Sequence, residues 1–334
     1  MIGSAVTRPL VAAAMGHPTE RTPLWVMRQA GRYLPEYREL RTKHTFQESV
    51  STPKLAAEVT AQPIRRFDFD GAVIFADIMT PLEAMGVEMT FDPGPKLRSH
   101  TLAEVIKLGD LATERVSFVG ETIERVRGMI PETTAIIGFA GAPLTLLAYL
   151  IEGGGSREFL GLRAALAEDP GLAAEALASL GRAMNAYLDM QVRAGADVIQ
   201  LFDTWAGMID RETYSHLAAP AAKTALAGHS VPRIYFAPGA SHTLEAQRAI
   251  GPDVIGVDWR LPLGEAWSRI GDRAIQGNLD PAVLLTDEGT IGAAVRAVKE
   301  QAAGRPGHIF NLGHGIDRHT PLEHVAALVS AVRS

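Results

Sequence analysis

The chain contains no cysteine among its 334 residues. That absence excludes disulfides, thiolate metal ligands, cysteine nucleophiles and iron–sulfur clusters together. It also agrees with a reducing compartment. Long apolar runs are missing near the start, where LVAAAM (10–15) is too short to cross a bilayer. The surrounding stretch, MIGSAVTRPLVAAAMGHPTE, lacks the basic start and extended apolar centre of a signal peptide. Positive charge is not in excess. The 32 Lys and Arg face 38 Asp and Glu, for a net charge of −6, which argues against general nucleic-acid binding. No internal repeat and no linker rich in Pro, Ser or charge divides the chain. The expectation is one cytoplasmic domain spanning 1–334, with no membrane or nucleic-acid partner.

Apolar residues make up 47 % of the chain and charged residues 21 %, enough for a large core and too little charge for disorder. Short apolar, β-branched runs recur at 23–27, 72–75, 135–139, 197–202, 233–237, 254–258, 274–277 and 308–312. Helical patterns fill most of the gaps. LAAEVTAQPIRRF (55–67) follows the start signal Thr52-Pro53. Residues 171–196, 289–303 and 321–333 space apolar positions three and four apart. Strand and helix alternating in this way, without a composition break, predict an α/β fold: a single (β/α)8 TIM-type barrel. Unbroken apolar strands suit a parallel sheet covered on both faces.

In such a barrel the chemistry collects in a cleft at the C-terminal ends of the strands, and the unusual residues of this sequence fall there. Arg28 and Arg32 follow the first run, Asp77 the second, and Gly141-Ala142-Pro143, leading toward Tyr149, the third. Asp203-Thr204-Trp205 follows the fourth, Asp258-Trp259-Arg260 the sixth, Asn278 the seventh and Gly313-His314-Gly315 the eighth.

The stretch MRQAGRYLPEYRELR (27–41) gathers Arg28, Arg32, Arg38 and Arg41 in an acidic chain. A solvated surface paired with Glu36 and Glu39 is the plain reading. Against it, Gly31 and Pro35 interrupt any regular helix, so Arg28 and Arg32 form no simple helical face. Arginine's planar fork grips carboxylates and phosphates, and several together point to a polyanionic small molecule. Asp77 reads as a helix cap as readily as a carboxylate facing N–H groups or a developing cation. His314 with Asp317 and His319 matches no zinc spacing, and a structural histidine is the competing reading. The glycines flanking His314 imply that something passes close to the backbone. EGGGSREF (152–159) lacks the Gly-Lys-Ser/Thr ending of a phosphate loop, and Ser156 reads as a cap for the next helix.

Beyond the residues taken singly, PLWVMRQAGRYLPEYR (23–38) closely resembles the N-terminal signature of the uroporphyrinogen decarboxylase family. IFADIMTP, GFAGAPLTLLAYLIEGGGS, LFDTWAG, GVDWR, GNLDP and IFNLGHGI resemble further blocks of that family in its order, over about residues 23–318. The resemblance implies a barrel, a homodimer, and no metal or organic cofactor. It implies removal of four acetate carboxyl groups from uroporphyrinogen III, giving coproporphyrinogen III in haem and chlorophyll synthesis. By the same resemblance Asp77, Arg28 and Tyr149 are catalytic. Asp77 accepts the pyrrole N–H groups and stabilises a protonated pyrrole, for which it must stay ionised, a state nearby arginines favour. Arg28 and Arg32 bind carboxylates, and Gln29, Ala30 and Gly31 meet the substrate through the backbone. Tyr149 orients Asp77 or touches an acetate, Thr204 and His314 hydrogen-bond carboxylates, and Phe75 packs on the macrocycle. The proton donor stays open between Arg28, Tyr149, His314 and a water. Ala76, Leu144 and Thr204 stand where many members carry Ser, Trp and Ser. Two rivals are a zinc-dependent corrinoid or thiol methyltransferase, poorly served by a chain without cysteine, and a non-catalytic tetrapyrrole carrier, which has no need of Asp77.

Overall fold

Seven of the expected strands join one parallel sheet, and the remaining one is built differently. The computed structural model describes residues 8–91 and 94–334; the first seven residues of the start read for a signal peptide lie outside it. In chain order the strands are β1 (Gly71–Val73), a short antiparallel hairpin of β2 (Met89–Phe91) and β3 (Pro95–Leu97), then β4 (Ala135–Gly141), β5 (Val198–Phe202), β6 (Arg233–Phe236), β7 (Val254–Gly256), β8 (Ala274–Leu279) and β9 (His308–Leu312). The sheet order is β1-β4-β5-β6-β7-β8-β9, with every neighbour pair parallel. Parallel neighbours require crossovers, which helices supply. Helices at Pro53–Phe67, Pro170–Arg193, Glu288–Ala302 and Leu322–Arg333 lie where the periodicity puts them. The longest of these opens with Pro170 in its first turn, and the Asp169 carboxylate accepts from the Leu172 N–H at 2.9 Å. β4 is buried along its whole length, as a strand covered on both faces must be.

The sheet curls around a small interior core. Trp25, Ile137, Val198, Ile234, Val254 and Ile309 are buried there, with Leu10 of the helix Pro9–Ala14. A polar chain crosses this interior. Trp25 Nε1 donates to Gln276 Oε1 at 2.9 Å, and Gln276 Nε2 donates to Gln200 Oε1 at 3.1 Å.

Residues 23–27, expected as the first strand, make a single parallel bridge, Leu24 with Phe310. The segment touches both edges of the sheet. The Phe310 N–H donates to the Pro23 carbonyl at 2.8 Å, and the Asp70 N–H, just before β1, donates to the Leu24 carbonyl at 2.8 Å. No regular ladder extends from this bridge: the Trp25 N–H donates to the Phe310 carbonyl at 3.4 Å, but side chains take the N–H groups of Leu24, Val26 and Met27. Leu24 donates to Asp70 Oδ2 (2.9 Å), Val26 to Gln29 Oε1 (3.2 Å) and Met27 to Asn311 Oδ1 (3.2 Å). A buried N–H needs an acceptor, and a carboxylate or amide oxygen serves as well as a neighbouring strand. Arg21 holds Asp70 in turn with two bonds of 2.6 and 2.8 Å. Among the described residues no helix is long and apolar enough to cross a membrane.

Candidate active site

Arg28 ends the 23–27 segment at φ +62°, a left-handed backbone that residues other than glycine seldom adopt. The turn is closed by the Gln29 N–H on the Val26 carbonyl at 3.0 Å. The Arg28 side chain lies against Gly315, where any Cβ would collide with Arg28 Cδ. The arginine cluster divides in two. Arg38 donates to the carbonyls of Arg32 (2.9 Å) and Tyr33 (3.3 Å), and Arg41 to that of His44 (2.6 Å). Glu36 pairs with Arg66 at 2.9 Å and Glu39 with Lys43 at 3.3 Å. The surface pairing with Glu36 and Glu39 therefore does not involve Arg28 or Arg32. Both are exposed, and among the described residues neither guanidinium has a hydrogen-bond or ion-pair partner.

Gln29 is buried, and its amide bridges the Val26 N–H and the Gly71 carbonyl. Its side chain thus braces the turn against β1. Ala30 and Gly31 are half-buried. A Cβ on Gly31 would stand 2.9 Å from the Arg28 carbonyl, so the tight return of the chain favours glycine.

Asp77 lies half-buried beyond β1. One carboxylate oxygen accepts the Met79 N–H at 2.8 Å, in the turn just before the helix Thr80–Ala84, so it is a structural hydrogen-bond partner there and does not cap the helix itself. Burial pushes its pKa up, and the charge of Glu83 adds to this; the Met79 N–H and Arg28 pull it down, and the net shift is upward. Arg28 favours the ionised form, in the direction expected of nearby arginines, but desolvation is the larger effect. A cavity of about 430 Å³ reaches Asp77, lined also by Glu83, Phe46, Phe91, Arg115 and Phe118. Burial likewise raises the Glu83 pKa, against a hydrogen bond from Gln47. Phe75 is half-buried, edge-on to Tyr37 at 5.6 Å and to Phe46 at 5.8 Å. With Phe46 and Phe91 it makes an aromatic wall on this side.

Tyr149 projects from the helix Pro143–Glu152, which follows β4. Burial raises its pKa, the Asp77 charge raises it further, and Arg28 opposes both. Its ring meets Trp205 edge to face at 6.0 Å, and Trp205 packs on Phe159 at 4.6 Å. Thr204, half-buried, sits between Trp205 and Asp203. Asp203 is fully buried and belongs to a network not anticipated from the sequence. It accepts the Thr145 hydroxyl at 2.7 Å and the Tyr235 hydroxyl at 2.5 Å, while the Tyr214 and Tyr235 hydroxyls lie 2.7 Å apart. The Trp205 N–H donates to the same Thr145 hydroxyl at 3.2 Å. Burial lifts Asp203 to about 6 despite those bonds.

His314 is half-buried and edge-on to Trp259 at 6.4 Å. Burial, then Arg28 and Arg260, lower its pKa, with Asp258 opposing, so the imidazole is neutral at pH 7. What passes close to its flanking glycines is the protein itself: the Arg28 side chain at Gly315, and at Gly313 the 258–259 backbone, which would lie 2.5 Å from a Cβ. Asp317 and His319 do not turn toward a shared ion. Asp317 accepts the His319 N–H at 2.8 Å, and Arg318 donates to His319 Nε2 at 3.0 Å. Among the described residues no group of three or more His, Cys, Asp or Glu is placed to hold a metal. In EGGGS, Ser156 accepts the Phe159 N–H at 3.1 Å ahead of the helix Leu160–Glu168, and Gly153 accepts from Leu97 of the hairpin at 3.1 Å.

The model of the family described as uroporphyrinogen decarboxylase (URO-D) matches residues 7–334. A uroporphyrinogen decarboxylase of Carboxydothermus hydrogenoformans is 43% identical over 323 residues, covering 94% of this chain and 92% of the relative. One from Chloroflexus aurantiacus is 41% identical over 336 residues, covering 96% and 94%. Among solved structures, a methyltransferase from Methanosarcina mazei superposes with a TM-score of 0.83 over 98% of both chains at 20% identity, a likeness of fold alone.

Proposed function

Since the chain belongs to the uroporphyrinogen decarboxylase family, we propose that Asp77, Arg28 and Tyr149 form the reaction centre on which it decarboxylates uroporphyrinogen III. The chain is a carboxy-lyase of porphyrin biosynthesis. A pyrrole ring carbon takes up a proton, and the ring becomes a cation. The bond from the acetate methylene to its carboxylate then breaks, carbon dioxide leaves, and the electron pair neutralises the ring. A proton added to the exocyclic carbon and one lost from the ring carbon leave a methyl group and a restored pyrrole. Each round consumes one carboxylate and one proton, and four rounds give coproporphyrinogen III. The ring is its own electron sink, so the scheme requires no resident cofactor.

The protein's part is electrostatic. The slow uncatalysed reaction asks for barrier lowering on the order of 20 kcal/mol. Asp77, accepting pyrrole N–H groups in a desolvated site, is the main stabiliser of the cation. Its upward pKa shift means the free site lacks a full counter-charge, and the ligand's N–H groups and developing positive charge supply one. Arg28 and Arg32 hold carboxylate arms at about 1.5–3 kcal/mol for each charge-assisted bond. Tyr149 orients Asp77 or touches an acetate, Thr204 and His314 hydrogen-bond further carboxylates, and Phe75 packs on the macrocycle. Gln29, Ala30 and Gly31 shape the turn that presents Arg28. Residues 23–27 are read as the eighth stave of a (β/α)8 barrel, and the chain as one domain, homodimeric and cytoplasmic.

The observation carrying this reading is that the Arg28 charge reaches Asp77, Tyr149 and His314, and the Asp77 charge reaches Tyr149, although the four residues come from separate segments. Incubation with reduced uroporphyrinogen III under anoxia, with chromatographic counting of product carboxylates, tests it. Products carrying seven to four carboxylates are expected. Asp77→Ala should fold, bind and give almost none; near-normal turnover by that variant would remove Asp77 from the centre. Wild-type binding without loss of carboxylates would favour the carrier. Activity abolished by chelation, with zinc in the purified protein, would favour the methyltransferase. Light scattering tests the dimer.

A further inference from the structure

We propose that Arg260 and His314 form a second anion subsite at the mouth, which holds a carboxylate arm of the substrate remote from Asp77; this rests on the decarboxylase reading. The loop after β7 is built to present Arg260. Asp258 is 5% exposed, and its carboxylate accepts the Gly239 N–H (2.6 Å), the Arg260 N–H (3.1 Å) and Arg260 Nη1 (2.6 Å). The loop backbone is tied down from the next strand, where Asn278 Nδ2 donates to the carbonyls of Asp258 (2.9 Å) and Leu261 (2.7 Å). The guanidinium lies over the Trp259 ring with its carbon 4.1 Å from the centroid. Trp259 meets His314 on its edge. Only Nη1 of the Arg260 guanidinium has a recorded hydrogen-bond partner among the described residues, so the N–H groups on Nε and Nη2 stay available to a ligand.

Two features make this a receptor rather than an ion pair alone. Asp258 already has two backbone donors, so Arg260 is not its sole compensation. The guanidinium is fixed by a carboxylate on one side and an indole below, so little conformational entropy is lost when an anion binds. His314 feels the charges of both Arg28 and Arg260. A neutral imidazole there can donate one N–H to a carboxylate held between two cations. Around the sheet, Asp77 follows β1, Arg28 follows the 23–27 segment, His314 follows β9 and Arg260 follows β7. Arg260 thus stands at a different strand end from Asp77, and the arm it receives belongs to another ring of the macrocycle. This assigns the GVDWR motif a task in affinity.

Steady-state kinetics of Arg260→Ala on uroporphyrinogen III test the assignment. One charge-assisted contact is lost, so kcat/KM should fall about tenfold, with the loss in KM. The wild-type KM should also rise more steeply with added salt than the variant KM, a response that a structural role would not alter. If Arg260→Ala lowers the melting temperature, Arg260→Gln carries the test, since it removes the charge and can still donate to Asp258. An unchanged KM and unchanged salt response, or a loss confined to kcat, overturns the subsite. An inactive wild type overturns the decarboxylase reading and the subsite with it; an active wild type with an unaffected variant overturns the subsite alone.

Discussion

Burial raises the Asp77 pKa although Arg28 and the Met79 N–H act against it, so the ionised side chain costs stability at neutral pH. A carboxyl whose folded pKa is raised contributes stability below its ordinary range and loses it as pH rises through the raised value. Asp77→Asn keeps an acceptor for Met79. It should melt at the same or a higher temperature than wild type at pH 7 while losing at least about a hundredfold in turnover; calorimetry and the product assay check both halves. In the wild type, kcat/KM should fall as pH drops through that raised pKa, because the protonated carboxyl cannot oppose a cation. Gly315→Ala places a methyl group into the Arg28 side chain. Its KM should rise several-fold with the melting point little changed, since an exposed arginine can move aside but not keep its aim. Asp77, Arg28 and His314 stand out in the sequence because each is a singular polar residue beyond an apolar run. The roles of Arg38, Arg41 and Gln29 do not, because nothing in a residue's type says whether a nearby carbonyl will use it.

β5 and β6 carry a polar cluster beneath the Thr204–Trp205 turn, and its chemistry is set by strand neighbours. Asp203, just past β5, and Tyr235 on β6 meet at 2.5 Å, with Thr145 of the helix Pro143–Glu152 at 2.7 Å from Asp203. The folded pKa of Asp203, about 6 against 3.8, means that its contribution is full below about pH 4 and lost as pH rises through 6. That difference corresponds to about 3 kcal/mol. Urea unfolding of Asp203→Asn between pH 4 and pH 7 should show the variant gaining on wild type by that order as pH rises; a pH-independent difference would mean that Asp203 is not neutralised by burial. The four helices Pro53–Phe67, Pro170–Arg193, Glu288–Ala302 and Leu322–Arg333 and the seven sheet strands follow the apolar periodicity closely. The β2–β3 hairpin does not, since its strands are partly exposed and bring no continuous apolar run.

For the molecule as a whole, the join between first and last strands is decisive. Asp70 holds the Leu24 N–H and both terminal nitrogens of Arg21, and it is 4% exposed. Asp70→Ala strands a buried N–H and an arginine, and should cost about 3 kcal/mol in urea unfolding; an unchanged midpoint would show that the 23–27 segment is held without the Asp70 carboxylate. The sequence by itself determined the alternation of strand and helix, the positions of the charged residues at strand ends, and the family, because periodicity and motif order are local properties of the chain. Only the tertiary structure decided which arginines lack partners, that Asp77 is desolvated more than it is attracted, that Arg28 rests on Gly315, and that residues 23–27 join the sheet partly through side chains. Each of these depends on groups distant in sequence meeting at a few ångströms, where exclusion of water and competition for hydrogen bonds outweigh what any residue prefers alone.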